Sequence, residues 1–265
     1  MKGLWYKILL ILFLVIGGIS LSTNNLVLSN NNPNSIRFLD DENEMLILNT
    51  INERAIICEG RNALRNNVIQ RILDEKVEEV DLLVLRTADL ECNDFLKGVV
   101  KAVKIKKIVV PDTKILSEAT KDFLKRSDVE LASFKEGLNY NIGNLDIRGE
   151  GVEGLKNEGI LFIEVDNIKV GLLSRGAFNK AQKQCESVNS KVDVLNLRGN
   201  SDFEKSEFKD MIKTLSPIAV IGNQKNVAYY NSESRKRGVK YYSLRGYGDL
   251  SLQRVMGETK EFVIN

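Results

Sequence analysis

At 265 residues, 43% hydrophobic and 28% charged, the sequence is long enough for one large globular domain or two small ones. Its 38 basic and 36 acidic side chains leave a formal net charge of +2. Lys2 and Lys7 are the only charges before residue 25, so the remainder is balanced and does not advertise phosphate binding as the chain's main business. Histidine is absent, which excludes Ser-His and Cys-His nucleophile pairs and removes the commonest metal ligand.

The chain opens with Lys2 and Lys7 ahead of an apolar run over residues 8–21, shorter than the ~20 residues that comfortably span a bilayer. Leu4, Trp5 and Tyr6 extend it, with the aromatics at interface depth. The segment reads as a membrane anchor or, alternatively, a cleaved signal peptide, with Gly18, Ser20 and Ser22 as small residues for cleavage. Positive charge on the short upstream side keeps that end in the cytoplasm, placing the rest outside it. Residues 22–35 form an Asn-rich tether, and residues 36–265 form the folded domain.

Within that domain, three extended segments (36–39, 45–48, 55–58) come first, with Cys58 as a small buried hydrophobe. A helix follows with Leu64, Val68, Ile69, Ile72 and Leu73 on one face. The continuous apolar run 80–85 predicts a strand covered on both sides, ending in the polar loop Arg86-Thr87-Ala88-Asp89-Leu90-Glu91-Cys92. The spacing then predicts helix 95–103, strand 108–110, helix 116–125 and strand 129–134. Strands 144–148, 159–165 and 168–174 come next, the last two joined at Asp166-Asn167. Helix 179–188, strand 192–197, helix 203–215 and strand 218–221 continue the βα rhythm, and strands 238–243, 250–254 and 261–264 close the chain. Many strands with interspersed helices predict an α/β fold with sheets packed between helical layers.

The loop after residue 85 stands at a strand-to-helix turn, a common place for a metal or anion site. Its layout resembles the metal loop of the metallo-β-lactamase superfamily, His-x-His-x-Asp-His. Several further segments resemble, in order, the metallo-β-lactamase-like domain of the competence protein ComEC. These include Ile56-Ile57-Cys58-Glu59-Gly60, Ile108-Val109-Val110-Pro111, Leu172-Leu173-Ser174-Arg175-Gly176, and the strand that ends in Arg198-Gly199-Asn200-Ser201. The resemblance implies a four-layer αββα sandwich over the domain. It also implies that Thr87, Asp89 and Cys92 replace the first-loop histidines, Glu91 the loop aspartate, Gly176 the bridging aspartate, and Gly199 and Asn200 the second-loop histidines.

With those ligands gone, no metal and no other cofactor is expected, and the chain reads as an inactive homologue that binds rather than hydrolyses. Its partners would be the membrane through the N-terminal segment, and an envelope protein or single-stranded DNA. Asp89, Glu91 and Asp94 then serve as turn and helix N-terminal groups, and Cys92 as a structural thiol. Two alternatives stand beside this reading. A hydrolase recruiting a metal through carboxylates alone, such as Asp89 and Glu91, is one, because oxygen ligands suit magnesium, calcium or manganese. A DNA-uptake accessory is the other, using Arg235, Lys236, Arg237 and Lys240 beside Tyr229, Tyr230, Tyr241, Tyr242 and Tyr247. Against it, such charges are ordinarily a solvated face, as for Lys101, Lys104, Lys106 and Lys107, and the tyrosines cross-strand packing.

Overall fold

The computed structural model describes residues 34–39, 45–60, 65–88, 90, 92–133, 138–142, 145–151, 159–173, 191–197, 204–254 and 262–264. In chain order the elements are β1 (Ser35–Phe38), β2 (Leu46–Asn49), β3 (Arg54–Gly60), α1 (Arg65–Asp74), β4 (Glu79–Ala88), α2 (Cys92–Ala102), β5 (Lys104–Val110), α3 (Glu118–Arg126) and β6 (Glu130–Ser133). Then come β7 (Leu138–Ile142), β8 (Leu145–Gly151), β9 (Gly159–Val165), β10 (Ile168–Leu173), β11 (Val194–Leu197), α4 (Lys205–Leu215), β12 (Ala219–Gly222), α5 (Val227–Arg235), β13 (Lys240–Ser243), α6 (Leu244–Tyr247), β14 (Leu250–Arg254) and β15 (Phe262–Ile264). The helix expected over residues 179–188 lies outside the described residues.

The strands form two sheets, ordered β15-β14-β1-β2-β3-β4-β5-β6 and β13-β12-β11-β10-β9-β8-β7. Each is parallel where βα units build it, β3 to β6 in the first and β10 to β13 in the second, and antiparallel elsewhere. Strand alternation sorts the apolar side chains into three clusters. Ala55, Ile57, Leu82 and Val84 meet Ile147, Leu161, Ile163, Val170 and Val194 between the sheets. Ile56, Cys58, Leu83 and Leu85 pack under α1 and α2 through Val68, Ile72, Phe95 and Leu96. Leu195 and Val220 pack under α4 and α5 through Phe208, Met211 and Tyr230. Three buried interfaces make four layers, helices–sheet–sheet–helices, as the resemblance implied.

Local chemistry explains the boundaries. Ser117 caps α3 through its hydroxyl, which accepts from Thr120 N–H. Glu204 and Glu207 form a capping box at α4. Asp166 and Asn167 both adopt positive φ, 49° and 67°, as a tight hairpin turn between β9 and β10 requires.

Three expectations need correction. The strand expected over 80–85 runs on to Ala88, so Arg86 and Thr87 are strand residues, not loop. Pairing to β3 through Gly60 and Ala88 holds them there, and burial on both faces overrides their polarity. β7 was not anticipated, since two asparagines dilute the strand signal of Leu138, Tyr140 and Ile142. Tyr229 and Tyr230 sit on α5 rather than a strand; Asn226 caps that helix, its Oδ1 accepting from Tyr229 N–H at 3.3 Å.

Candidate functional site

Parallel strands in α/β sheets present their ligands at the carboxyl ends, where helices begin. Here β4 ends at Ala88, β10 at Leu173, β11 at Leu197 and β12 at Gly222. A small cavity between the sheets is lined by Phe38, Leu39, Met45 and Leu46 of the first sheet's edge and by Asn196, Leu197, Asn223 and Leu244 of the second. The carboxyl ends of both parallel sets therefore open on one mouth.

Of the sequence-nominated metal positions, Thr87 and Cys92 are described. Thr87 is buried near the end of β4, and Cys92, fully buried, is the first residue of α2, packed with Phe95 and Leu96 as a structural side chain. Asp94 lies in the first turn of α2, where an acidic group favours the helix dipole. Asp89, Glu91, Gly176, Gly199 and Asn200 fall outside the described residues. The strands nevertheless end immediately before them: Ala88 precedes Asp89, Leu173 is three residues before Gly176, and Leu197 two before Gly199.

Two residues that sequence reading passed over mark the mouth. The inward row of β4 is Leu82 and Val84, and Arg86 follows in the irregular stretch of β4 between Leu85 and Ala88. Arg86 is 2% exposed and among the largest fully buried side chains. Across from it, β11 points Val194 and then Asn196 into the same layer. Asn196 is 4% exposed; its amide nitrogen donates to Ile221 carbonyl at 3.4 Å, while its Oδ1 is buried with no hydrogen-bond partner among the described residues. The cavity beside it, ≈ 10 Å³, holds about one water. Period-two counting along 194–196 would have exposed the polar interruption of an apolar row.

Around Asn196 the second sheet's ends are fixed by amides. Tyr241 hydroxyl donates to Gln224 Oε1 at 3.0 Å, and Gln224 Nε2 donates to Leu197 carbonyl at 3.3 Å. Arg245 Nε donates to Asn223 Oδ1 at 3.0 Å. Gly222 leaves room for this network, since a Cβ there would lie 2.0 Å from Gln224 Oε1.

The described side chains at this mouth do not fit a divalent metal. Imidazole is absent from the whole sequence. Among the described residues no three Cys, Asp or Glu side chains converge in a metal-binding group.

The basic clusters lie away from the mouth. Lys104 and Lys106 bond Glu79, Lys106 also reaches Asp81 at 2.6 Å, Lys107 pairs with Glu130, and Lys101 lies over the Phe123 ring. Lys104, then Lys106, holds the Glu79 carboxyl below its ordinary range, and Asp81, then Glu79, raises the Lys106 ammonium. Of the second cluster, Lys236 and Arg237 share the carboxylate of Glu233, and Lys209 lies 3.8 Å from it. Glu233 is held below its ordinary range, by Lys236 chiefly. Arg235 ends α5 and Lys240 begins β13, both exposed. The tyrosines pack: Tyr230 meets Phe208 edge-on at 4.7 Å and stacks on Tyr241 at 5.8 Å, and Tyr242 lies 5.9 Å from Tyr247.

No protein-family model matches the sequence, and no curated protein matches it. Solved structures do. The metallo-β-lactamase fold protein YhfI from Bacillus subtilis superposes with a TM-score of 0.52 at 11% identity, covering 79% of this chain and 97% of that one. A variant of the CmlA β-hydroxylase superposes with a TM-score of 0.55 at 10% identity, covering 83% of this chain. This chain spans about half of CmlA's length, 54%. The fold is that of the metallo-β-lactamases; at such identities the likeness carries the architecture alone.

Proposed function

We propose that this metallo-β-lactamase-fold chain is a membrane-tethered, extracytoplasmic binding protein whose mouth no longer supports metal-dependent hydrolysis. The observation that carries the reading is Arg86, a fixed cation buried at the mouth of a chain without a single histidine. Hydrolysis in this fold relies on a bound metal that polarises the substrate and lowers the pKa of its water. A fixed positive charge buried near the end of β4 disfavours a divalent cation beside it. Tethering follows from residues 8–21 behind Lys2 and Lys7. Among the described residues no helix is long and apolar enough to cross a membrane, and residues 8–21 lie outside them.

The enzyme alternative, a hydrolase recruiting metal through Asp89 and Glu91, is separated by one experiment. The purified full chain is assayed for bound metals by elemental analysis and for phosphodiesterase turnover in added manganese. The proposal expects substoichiometric metal and no turnover. Stoichiometric metal with turnover abolished by Asp89→Ala would defeat it.

A further inference from the structure

The amino ends of the parallel strands form the edge opposite the mouth, and a chain of contacts traces it. Asn34, where the described domain begins, donates its amide N–H to Asp166 in the β9–β10 turn at 3.1 Å. Lys169 N–H bonds Asp193 Oδ2, and Asp193 N–H returns to Lys169 carbonyl. Ile218 N–H bonds Asp193 carbonyl, and Lys240 N–H bonds Ile218 carbonyl. The point where residues 1–33 join the domain therefore lies on the same edge as Lys240.

This edge of the second sheet is basic. Its turns, residues 164–169, 191–193, 213–218 and 233–240, carry seven cations against four carboxylates in a nearly neutral chain. Glu233 is buried and spoken for by Lys236 and Arg237, while Lys191, Lys213, Arg235 and Lys240 are exposed. Ile218 sits among them 45% exposed, and Ile51, 74% exposed, tips the β2–β3 turn on the same edge of the first sheet. That first-sheet half is not basic, because Glu79 and Asp81 answer Lys104 and Lys106.

We infer that this edge docks on an anionic lipid headgroup surface, with Lys213, Arg235 and Lys240 over the headgroups and Ile218 at the interface. The inference rests on the tethering proposed above. Residues 22–33 reach at most about 40 Å when fully extended, so the edge from which they arise stays close to the bilayer. Tethering raises the local concentration of surface enough for a few charges to suffice. Docked this way, the mouth faces away from the membrane, open to a partner.

The test reconstitutes the full chain into vesicles of phosphatidylcholine alone or with phosphatidylglycerol, and follows hydrogen exchange. Docking predicts slower exchange of residues 216–218 and 236–240 in the anionic vesicles only, unchanged exchange around Asn196, and reversal in high salt. Neutralising two cations, Arg235→Gln with Lys240→Gln, lowers the docking equilibrium constant about 30-fold at ~1 kcal/mol per charge and abolishes the difference. Equal exchange in both vesicle types overturns the docking. So does salt-dependent binding of single-stranded DNA in detergent, weakened by the same substitutions, which would make the edge a nucleic-acid surface. A chain that fails to float with either vesicle contradicts the tether itself, and the docking with it.

Discussion

Asn196→Val tests whether the mouth sacrifices stability for a polar group. Asn196 is buried among Phe38, Leu39, Met45, Leu46, Leu197 and Leu244, and its one bond among the described residues, to Ile221 carbonyl, is long at 3.4 Å. Losing such a bond costs at the low end of the usual range, ~0.5 kcal/mol. Removing a desolvated acceptor without a partner recovers ~1–3 kcal/mol, and a β-branched side chain suits a strand. The ≈ 10 Å³ cavity accommodates the change of shape. The net expectation is a gain of about 1 kcal/mol, a rise of roughly 2–4 °C in melting temperature for a domain of this size. Calorimetry of the wild-type and variant full chains measures it. A loss of 1 kcal/mol or more would refute the reasoning, because it would mean that Oδ1 is already satisfied, by an ordered water in the adjoining cavity.

Gly222→Ala places a methyl 2.0 Å from Gln224 Oε1, so Gln224 must release Tyr241 or Leu197; thermal melts should show a loss of ~1–3 kcal/mol. Phe208→Ala removes a fully buried ring that meets Tyr230 edge-on, and denaturant titration should show a loss of ~3–5 kcal/mol. Glu79 and Glu233 are both held below the ordinary carboxylate range, so their contribution is complete above about pH 4.3 and fades as pH falls through their folded values. Melting temperature measured against pH should therefore fall less steeply below pH ~4 in a Glu79→Gln, Glu233→Gln variant than in the parent. An unchanged slope would mean that neither carboxylate is linked to folding.

Layering was legible because period-two and βα patterns are written in aliphatic residues. The runs 55–58, 80–85 and 192–197 became β3, β4 and β11, and Asp166-Asn167 became the expected turn. The mouth was legible only as a set of loops. Arg86 looked like the start of a loop because a charged side chain ordinarily ends an apolar strand, whereas β4 resumes its pairing with β3 at Ala88, beyond it. Asn196 was hidden inside an apolar run, its inward direction fixed by register with Leu172 and Ile221 rather than by any local signal. Lys236 and Arg237 looked like a free basic cluster because Glu233, three and four residues earlier, becomes their partner only once α5 is a helix.

A crystal of the full chain soaked in manganese or zinc, with anomalous density calculated over the ends of β4, β10 and β11, tests the central claim most directly. The account predicts no well-occupied ion there, and a guanidinium from Arg86 in contact with neighbouring acceptors. An ion held between the loop after Ala88 and the loops after Leu173 and Leu197 would contradict it and make this chain a metal-dependent catalyst.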